Sequence, residues 1–179
     1  MRRFLLPLFA FILFLSGCAR EEWQNLRQLC ENFCRFASET EQVVQVEPGQ
    51  FTALRYDGGT AYQAYLGESL LLECDTLQNG RIHTVSLTGL PEQRQGAFFD
   101  AARCAVQAFT GAESDQAERW LRQIHAGESE ILGVPAFEAA GFRFSCAANE
   151  AGRWLRVSQL RFLPPEPALP TLREMITEE

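Results

Sequence analysis

The stretch LLLECDTLQNGRIHTVSL, Leu70 to Leu87, decides the fold class. Asn79-Gly80 is the strongest short hairpin signal, because the favoured two-residue turns need φ > 0 at their central positions. A turn there makes Gln78 face Arg81, Thr76 face His83, Cys74 face Val85 and Leu72 face Leu87. That register gathers Leu70, Leu72, Cys74, Val85 and Leu87 on one face, polar only near the turn. A slip of one residue would send the whole set to the other face, so turn and pattern specify the same pairing. Strands are expected near 69–77 and 81–88.

Upstream, Asp57-Gly58-Gly59-Thr60 and Gly67-Glu68 supply two more turns, with strands near 51–57 and 60–66. Phe51 to Leu87 therefore reads as a four-strand meander. Before it, Trp23, Leu26, Leu29, Cys30, Phe33, Cys34, Phe36 and Ala37 recur at helical spacing, so residues 20–38 are expected to form an amphipathic helix. Its polar side is mixed rather than cationic, which suits a helix covering a sheet better than one lying on a membrane.

Downstream, Pro91 suits a first helical turn and 91–110 is helical in pattern. Phe98, Phe99, Ala102, Ala105, Val106 and Phe109 form one face, beside a small-residue stripe of Ala97, Ala101, Cys104 and Ala108. Only the arc of Arg103, Gln107, Asp100 and their neighbours reads as solvated. So wide an apolar arc predicts cover from two sides, by the sheet and by a second helix from Ser114, as N-cap, to Ala126, with Gly127 as its stop. Residues 128–135 read as a linker, and Phe137–Ala147 with Arg153–Phe162 as a last hairpin.

The expected fold is α+β: an antiparallel sheet of about six strands, four in the meander and two in the C-terminal hairpin. The N-terminal helix and the central helix pair pack on it. It forms a single domain over 18–162. Residues 163–179 form a tail that is proline-rich at first, with Thr171 and Glu174 at capping-box spacing for a short helix.

The chain opens with Met1-Arg2-Arg3, then an uncharged run from Phe4 to Leu15. Twelve residues of helix cover about 18 Å, short of the roughly 30 Å hydrocarbon core, so residues 1–17 read as a signal peptide rather than a span. The run ends in Leu15-Ser16-Gly17-Cys18, which resembles the lipobox of bacterial lipoproteins at all four positions. The resemblance implies cleavage before Cys18, a diacylglyceryl group on its sulfur, and a domain held at the membrane on the extracytoplasmic face. It covers about the first tenth of the chain and implies nothing for the rest.

Composition narrows the partners. Net charge is −7, and −9 once Arg2 and Arg3 leave with the leader; all sixteen basic residues are Arg. An acidic domain without a basic cluster is a poor match for nucleic acid or for anionic headgroups, so the anchor must hold it at the membrane. The remaining partner is a protein or an extracellular ligand. Cys30, Cys34, Cys74, Cys104 and Cys146 have neither CxxC nor zinc-ligand spacing, so no metal or cofactor is expected. They read as mostly buried free thiols, with one or two bridges as the alternative outside the cytoplasm.

Three groups are candidates for function. Tyr56, Tyr62, Tyr65 and Trp154 would form an aromatic ligand groove, or else ordinary sheet packing. Glu73 and Asp75 share a strand face opposite Thr84 and Ser86; they would serve as an acid/base pair or bind Ca²⁺, or else simply solvate the face. Cys74 and His83 would make a thiol dyad, but the expected register leaves them diagonal neighbours, roughly 7–8 Å apart. A non-catalytic binding or accessory domain of the cell envelope is the leading expectation. A surface hydrolase or thiol enzyme using Cys74/His83 or Glu73/Asp75 is the alternative.

Overall fold

The computed structural model describes residues 24–40, 45–90, 95–126, 130–131, 134–149 and 152–163. The segment read as a signal peptide, Cys18, Trp23, Pro91, Gly127 and the tail from 164 onward lie outside the described residues. In chain order the elements are α1 (Leu26–Ala37), β1 (Thr52–Tyr56), β2 (Gly59–Leu66), β3 (Leu70–Leu77), β4 (Ile82–Gly89), α2 (Gln95–Thr110) and α3 (Ser114–Ala126). These are followed by β5 (Glu130–Ile131), β6 (Val134–Ala139), β7 (Phe142–Asn149) and β8 (Gly152–Gln159). Short 3₁₀ turns cover Pro48–Gln50 and Leu160–Phe162.

The class is α+β, as the patterning predicts. Seven strands form one antiparallel sheet, and the two-residue β5 extends its last edge: β1-β2-β3-β4-β8-β7-β6-β5. The meander occupies one half. The C-terminal strands occupy the other, joined to it where β4 pairs with β8. The count exceeds six because the segment from 137 to 147 is two strands, not one. Ala139 pairs with Phe142, and Ala140 (φ 51) and Gly141 (φ 81) make the two-residue turn between β6 and β7. Positive φ at both central positions is the primed-turn signature. Ala140 concealed it, since a residue with a Cβ rarely enters that region.

The β3–β4 hairpin keeps the expected core register, with Cys74 opposite Val85 and Leu72 opposite Leu87. Its end differs. Leu77 N donates to Arg81 O (2.9 Å) and Gly80 N to Leu77 O (2.9 Å), so Gln78–Gly80 form a three-residue loop with Gly80 at φ 77. Thr76 then faces Ile82, and a bulge between Asp75 and Thr76 takes up His83 as the extra residue. The bulge restores the register, which is why the apolar pairs match and the pairs at the turn do not.

All three helices cover one face. Helix α1 begins at Leu26 rather than at residue 20: Asn25 is extended and closes a capping box with Gln28. Glu113, not Ser114, is the residue whose carbonyl opens α3, accepting from Ala117 N at 2.9 Å. Helix α2 is covered by α1 as well as by α3 and the sheet, one neighbour more than its apolar arc predicts. Gln107 is accordingly buried, at 4 % exposure, and only Asp100 and Arg103 stay partly solvated, 3.5 Å apart. Gln24 Nε2 to Ala108 O (2.6 Å) and Arg103 Nη2 to Thr40 Oγ1 (3.2 Å) tie α1 antiparallel along α2.

Phe144 centres the second half of the core at 0 % exposure. Phe137 stacks on it at 5.0 Å between centroids, and Trp120 of α3 packs on it at 5.0 Å. The β6–β7 turn aims Phe137, Phe142 and Phe144 into this cluster. Asn at position 140 enters the left-handed region more readily than Ala, so Ala140→Asn is expected to raise stability by about 0.5–1 kcal/mol. Gly141→Ala is expected to lower it by about 1–2 kcal/mol. Urea unfolding midpoints at constant m-value check both.

Candidate functional site

Strand alternation sorts the candidates by face. Tyr62, Cys74, Val85, Val157 and Phe144 lie in one cross-strand row, the buried side under the helices. Two rows on the other side are Gln63–Glu73–Ser86–Arg156–Ser145 and Ala61–Asp75–Thr84–Ser158–Arg143. The sheet thus has one dry face and one polar face, on which Thr84, Ser86 and Ser158 are themselves buried.

The polar face is internally paired. Gln63 Nε2 donates to Glu73 Oε1 (2.7 Å), Arg156 Nε to Ser86 Oγ (3.3 Å) and Thr84 Oγ1 to Ser158 Oγ (3.0 Å). Arg143 holds Glu138 through Nε (2.9 Å) and Nη2 (2.6 Å). Glu73 and Asp75 do share this face opposite Ser86 and Thr84, as expected. Among the described residues, no three His, Cys, Asp or Glu side chains gather as a metal site.

Cys74 and His83 are not brought together. Cys74 points under the helices at 0 % exposure, and burial pushes its thiol well above the ordinary value, with Cys30, Asp75 and Glu73 adding to the rise. His83 turns to the polar face: its Nδ1 lies 3.0 Å from Thr84 Oγ1 and its ring meets Phe162 edge-on at 6.2 Å. Burial lowers the His83 pKa, while Asp75 acts the other way. The other thiols behave as small core residues. Burial lifts Cys30 and Cys104 to about 11 and raises Cys146. Cys34 is half-buried, its Sγ donating to Val46 O at 3.1 Å. All five are free thiols.

Nor do the aromatic candidates share a groove. Tyr62 packs against the core. Tyr56 and Tyr65 are exposed (50 % and 67 %) but sit at opposite ends of the first hairpin, roughly 20 Å apart at 3.3 Å per residue. Trp154 lies in the row Tyr65–Leu71–Thr88–Trp154, three strand spacings or about 14 Å from Tyr65. The Tyr56 hydroxyl is shifted upward by burial and by Asp75.

What the sequence reading misses is a cleft on the helix side, where the first turns of α2, the last turns of α3 and the β7–β8 hairpin meet. It has a volume of about 210 Å³, with walls from Phe98, Phe99, Leu121, Ile124, Cys146 and Leu155, and of the four aromatic candidates it takes in Trp154 alone. Exposed Ala148 and His125 mark its mouth. The His125 ring stands edge-on to Phe99 at 5.3 Å. Arg153 also lines it, because residues 153, 155 and 157 of β8 all alternate onto the helix side. That phase is the legible signal: an arginine in step with Leu155 and Val157 belongs to an apolar face.

The cleft lies at the end of the domain remote from Gln24. Gln24 accepts Ile82 N through its carbonyl (3.1 Å) and so sits at the start of β4, beside the last turn of α2. The cleft takes Phe98, Phe99 and Ala102 from α2, and the ten residues from Phe98 to Ala108 put about 15 Å of helix between it and the Gln24 contact.

Two measurements bear on this chemistry. Iodoacetamide is expected to label Cys30, Cys74, Cys104 and Cys146 in the native protein at neutral pH far more slowly than in urea; mass spectrometry of timed digests reads it. His83, whose folded-state pKa is lowered, contributes stability that is full above the unfolded value of about 6.5 and is lost as pH falls through the lowered value. His83→Gln is therefore expected to flatten the fall of urea midpoint between about pH 7 and 5. Compared with known proteins, the chain matches no family model, no curated protein and no solved structure.

Proposed function

We propose that this is a lipid-anchored binding domain of the cell envelope, tethered through Cys18 and presenting the far end of its sheet and helix layer away from the membrane. The observation that carries the reading is the placement of the cleft. Gln24, where the described fold begins, is six residues beyond Cys18, a reach of at most about 20 Å. The anchor therefore addresses the Gln24 end, and the cleft opens at the other. Among the described residues no helix is long and apolar enough to cross a membrane.

Binding is favoured over catalysis by the state of the nucleophiles. Burial disfavours the thiolate at Cys30, Cys74, Cys104 and Cys146, and a thiol enzyme needs the thiolate. Glu73 is spoken for by Gln63, and a protein or extracellular ligand is the partner class that suits an acidic surface. Nucleic acid is the poorest match to that charge.

The tether is open to a direct test. Full-length protein expressed in a bacterial host is expected to partition into the detergent phase, with a mature N-terminus at Cys18 carrying the mass of its acyl groups. Cys18→Ala is expected to remain unacylated and to move to the aqueous phase. An unprocessed, water-partitioning wild-type chain in the cytosol would sink the proposal.

A further inference from the structure

We infer that the far-end cleft is a binding site for a small apolar monocarboxylate, its body between the two phenylalanines of α2 and the sheet, its carboxylate on Arg153. The inference deepens the proposed binding function by naming a ligand class for its cleft.

Volume sets the size of the body. An apolar cavity of about 150 Å³ takes a benzene ring, so the 210 Å³ here takes about eight carbons. That is too small for a drug-sized ligand and too large to be filled by a methyl group. The walls favour apolar carbons, since Phe98, Phe99, Leu121 and Leu155 offer no donor or acceptor in their side chains, although the lining also includes Trp154 and His125 with their ring nitrogens.

Charge sets the head group. The Arg153 side chain has no ion-pair or hydrogen-bond partner among the described residues, and no carboxylate is among the described residues lining the cleft. Arg103, Arg122 and Arg143 each meet an acid, in a protein whose acids outnumber its bases by seven. Arg27 and Arg55 meet none among the described residues either, but both are exposed, whereas Arg153 is half-buried at the cleft. A planar guanidinium at the edge of an apolar wall matches a carboxylate with two parallel hydrogen bonds, which are stronger where water is partly excluded. A neutral ligand of the same shape would leave that cation unpaired, and an amine would meet it as a like charge. The anion is favoured on both counts.

The test uses the full processed chain in phospholipid nanodiscs, with empty discs as the partition blank. Its probes are 3-phenylpropionate, 3-phenylpropanol and 3-phenylpropylamine, which share one eight-carbon apolar body and differ in the head group. Saturation-transfer NMR detects contact and titration gives relative affinities. The carboxylate is expected to bind at least tenfold more tightly than the alcohol, and the amine not at all. Arg153→Gln is expected to erase the preference for the carboxylate over the alcohol. Ala148→Phe, at an exposed position on the mouth, is expected to block the carboxylate and the alcohol alike while leaving the thermal melt unchanged. Binding no greater than to empty discs, equal affinity for alcohol and carboxylate, or a preference that survives Arg153→Gln would each overturn the inference. Acylation of Cys18 is read separately, so an acylated chain that ignores 3-phenylpropionate refutes the ligand class and leaves the tether standing.

Discussion

The pairing of β4 with β8 is the constraint on which the rest of the structure depends. It joins Thr84–Gly89 to Arg153–Ser158, segments about seventy residues apart, and turns a local meander and a local pair of hairpins into one sheet. The seam is specified on both faces. Val85–Val157 and Leu87–Leu155 close the dry side, and Thr84 Oγ1 to Ser158 Oγ crosses the polar side at 3.0 Å, out of contact with water. A buried hydroxyl pair of this kind penalises any other register, because a slip would leave both groups unsatisfied. Such a long-range pairing also carries a loop-closure cost that the local hairpins on either side do not.

The helix layer follows from that seam. The central helix pair leaves β4 and returns to the sheet at its far edge, so α2 lies along the join with α1 and α3 on either side. Cover from three directions explains its stripe of Ala101, Cys104, Ala105 and Ala108, since small side chains let neighbouring backbones approach. It also explains the thiols. Cys30, Cys74 and Cys104 occupy positions where a small apolar side chain fits between layers, and their lack of thiolate character is the electrostatic counterpart of good packing. The cleft forms where this packing ends, between the first turns of α2, the last turns of α3 and the β7–β8 hairpin.

Much of the fold was legible because its elements are locally consistent. The period-2 stripe through Leu70, Leu72 and Cys74, the glycines at the hairpin turns and the broad apolar arc of α2 each state an element and the face it buries. Legibility failed where one residue hid the geometry. Ala140 occupies a turn position that calls for glycine or asparagine, so two strands read as one. The bulge that takes up His83 leaves no mark in the apolar pattern, because it compensates a turn one residue longer than expected. The site fared worse. Tyr62 faces the helices while Tyr56, Tyr65 and Trp154 stand far apart on the other alternation. The bulge at His83, which no apolar pattern marks, turns that side chain off the face that carries Cys74.

By itself the sequence determined the α+β class, the core register of the central hairpin, the acidic surface and the apolar character of the cysteine positions. All of these arise from neighbours a few residues apart, where turn chemistry and side-chain period act directly. Only the tertiary structure decided that the two halves of the sheet join through β4 and β8, that α2 is covered by two helices, and that Arg153 lines a cleft with Phe98 and Phe99 without a side-chain partner among the described residues. Those facts depend on contacts between segments some fifty to seventy residues apart, which no local period encodes and which exist only once the β4–β8 seam has closed.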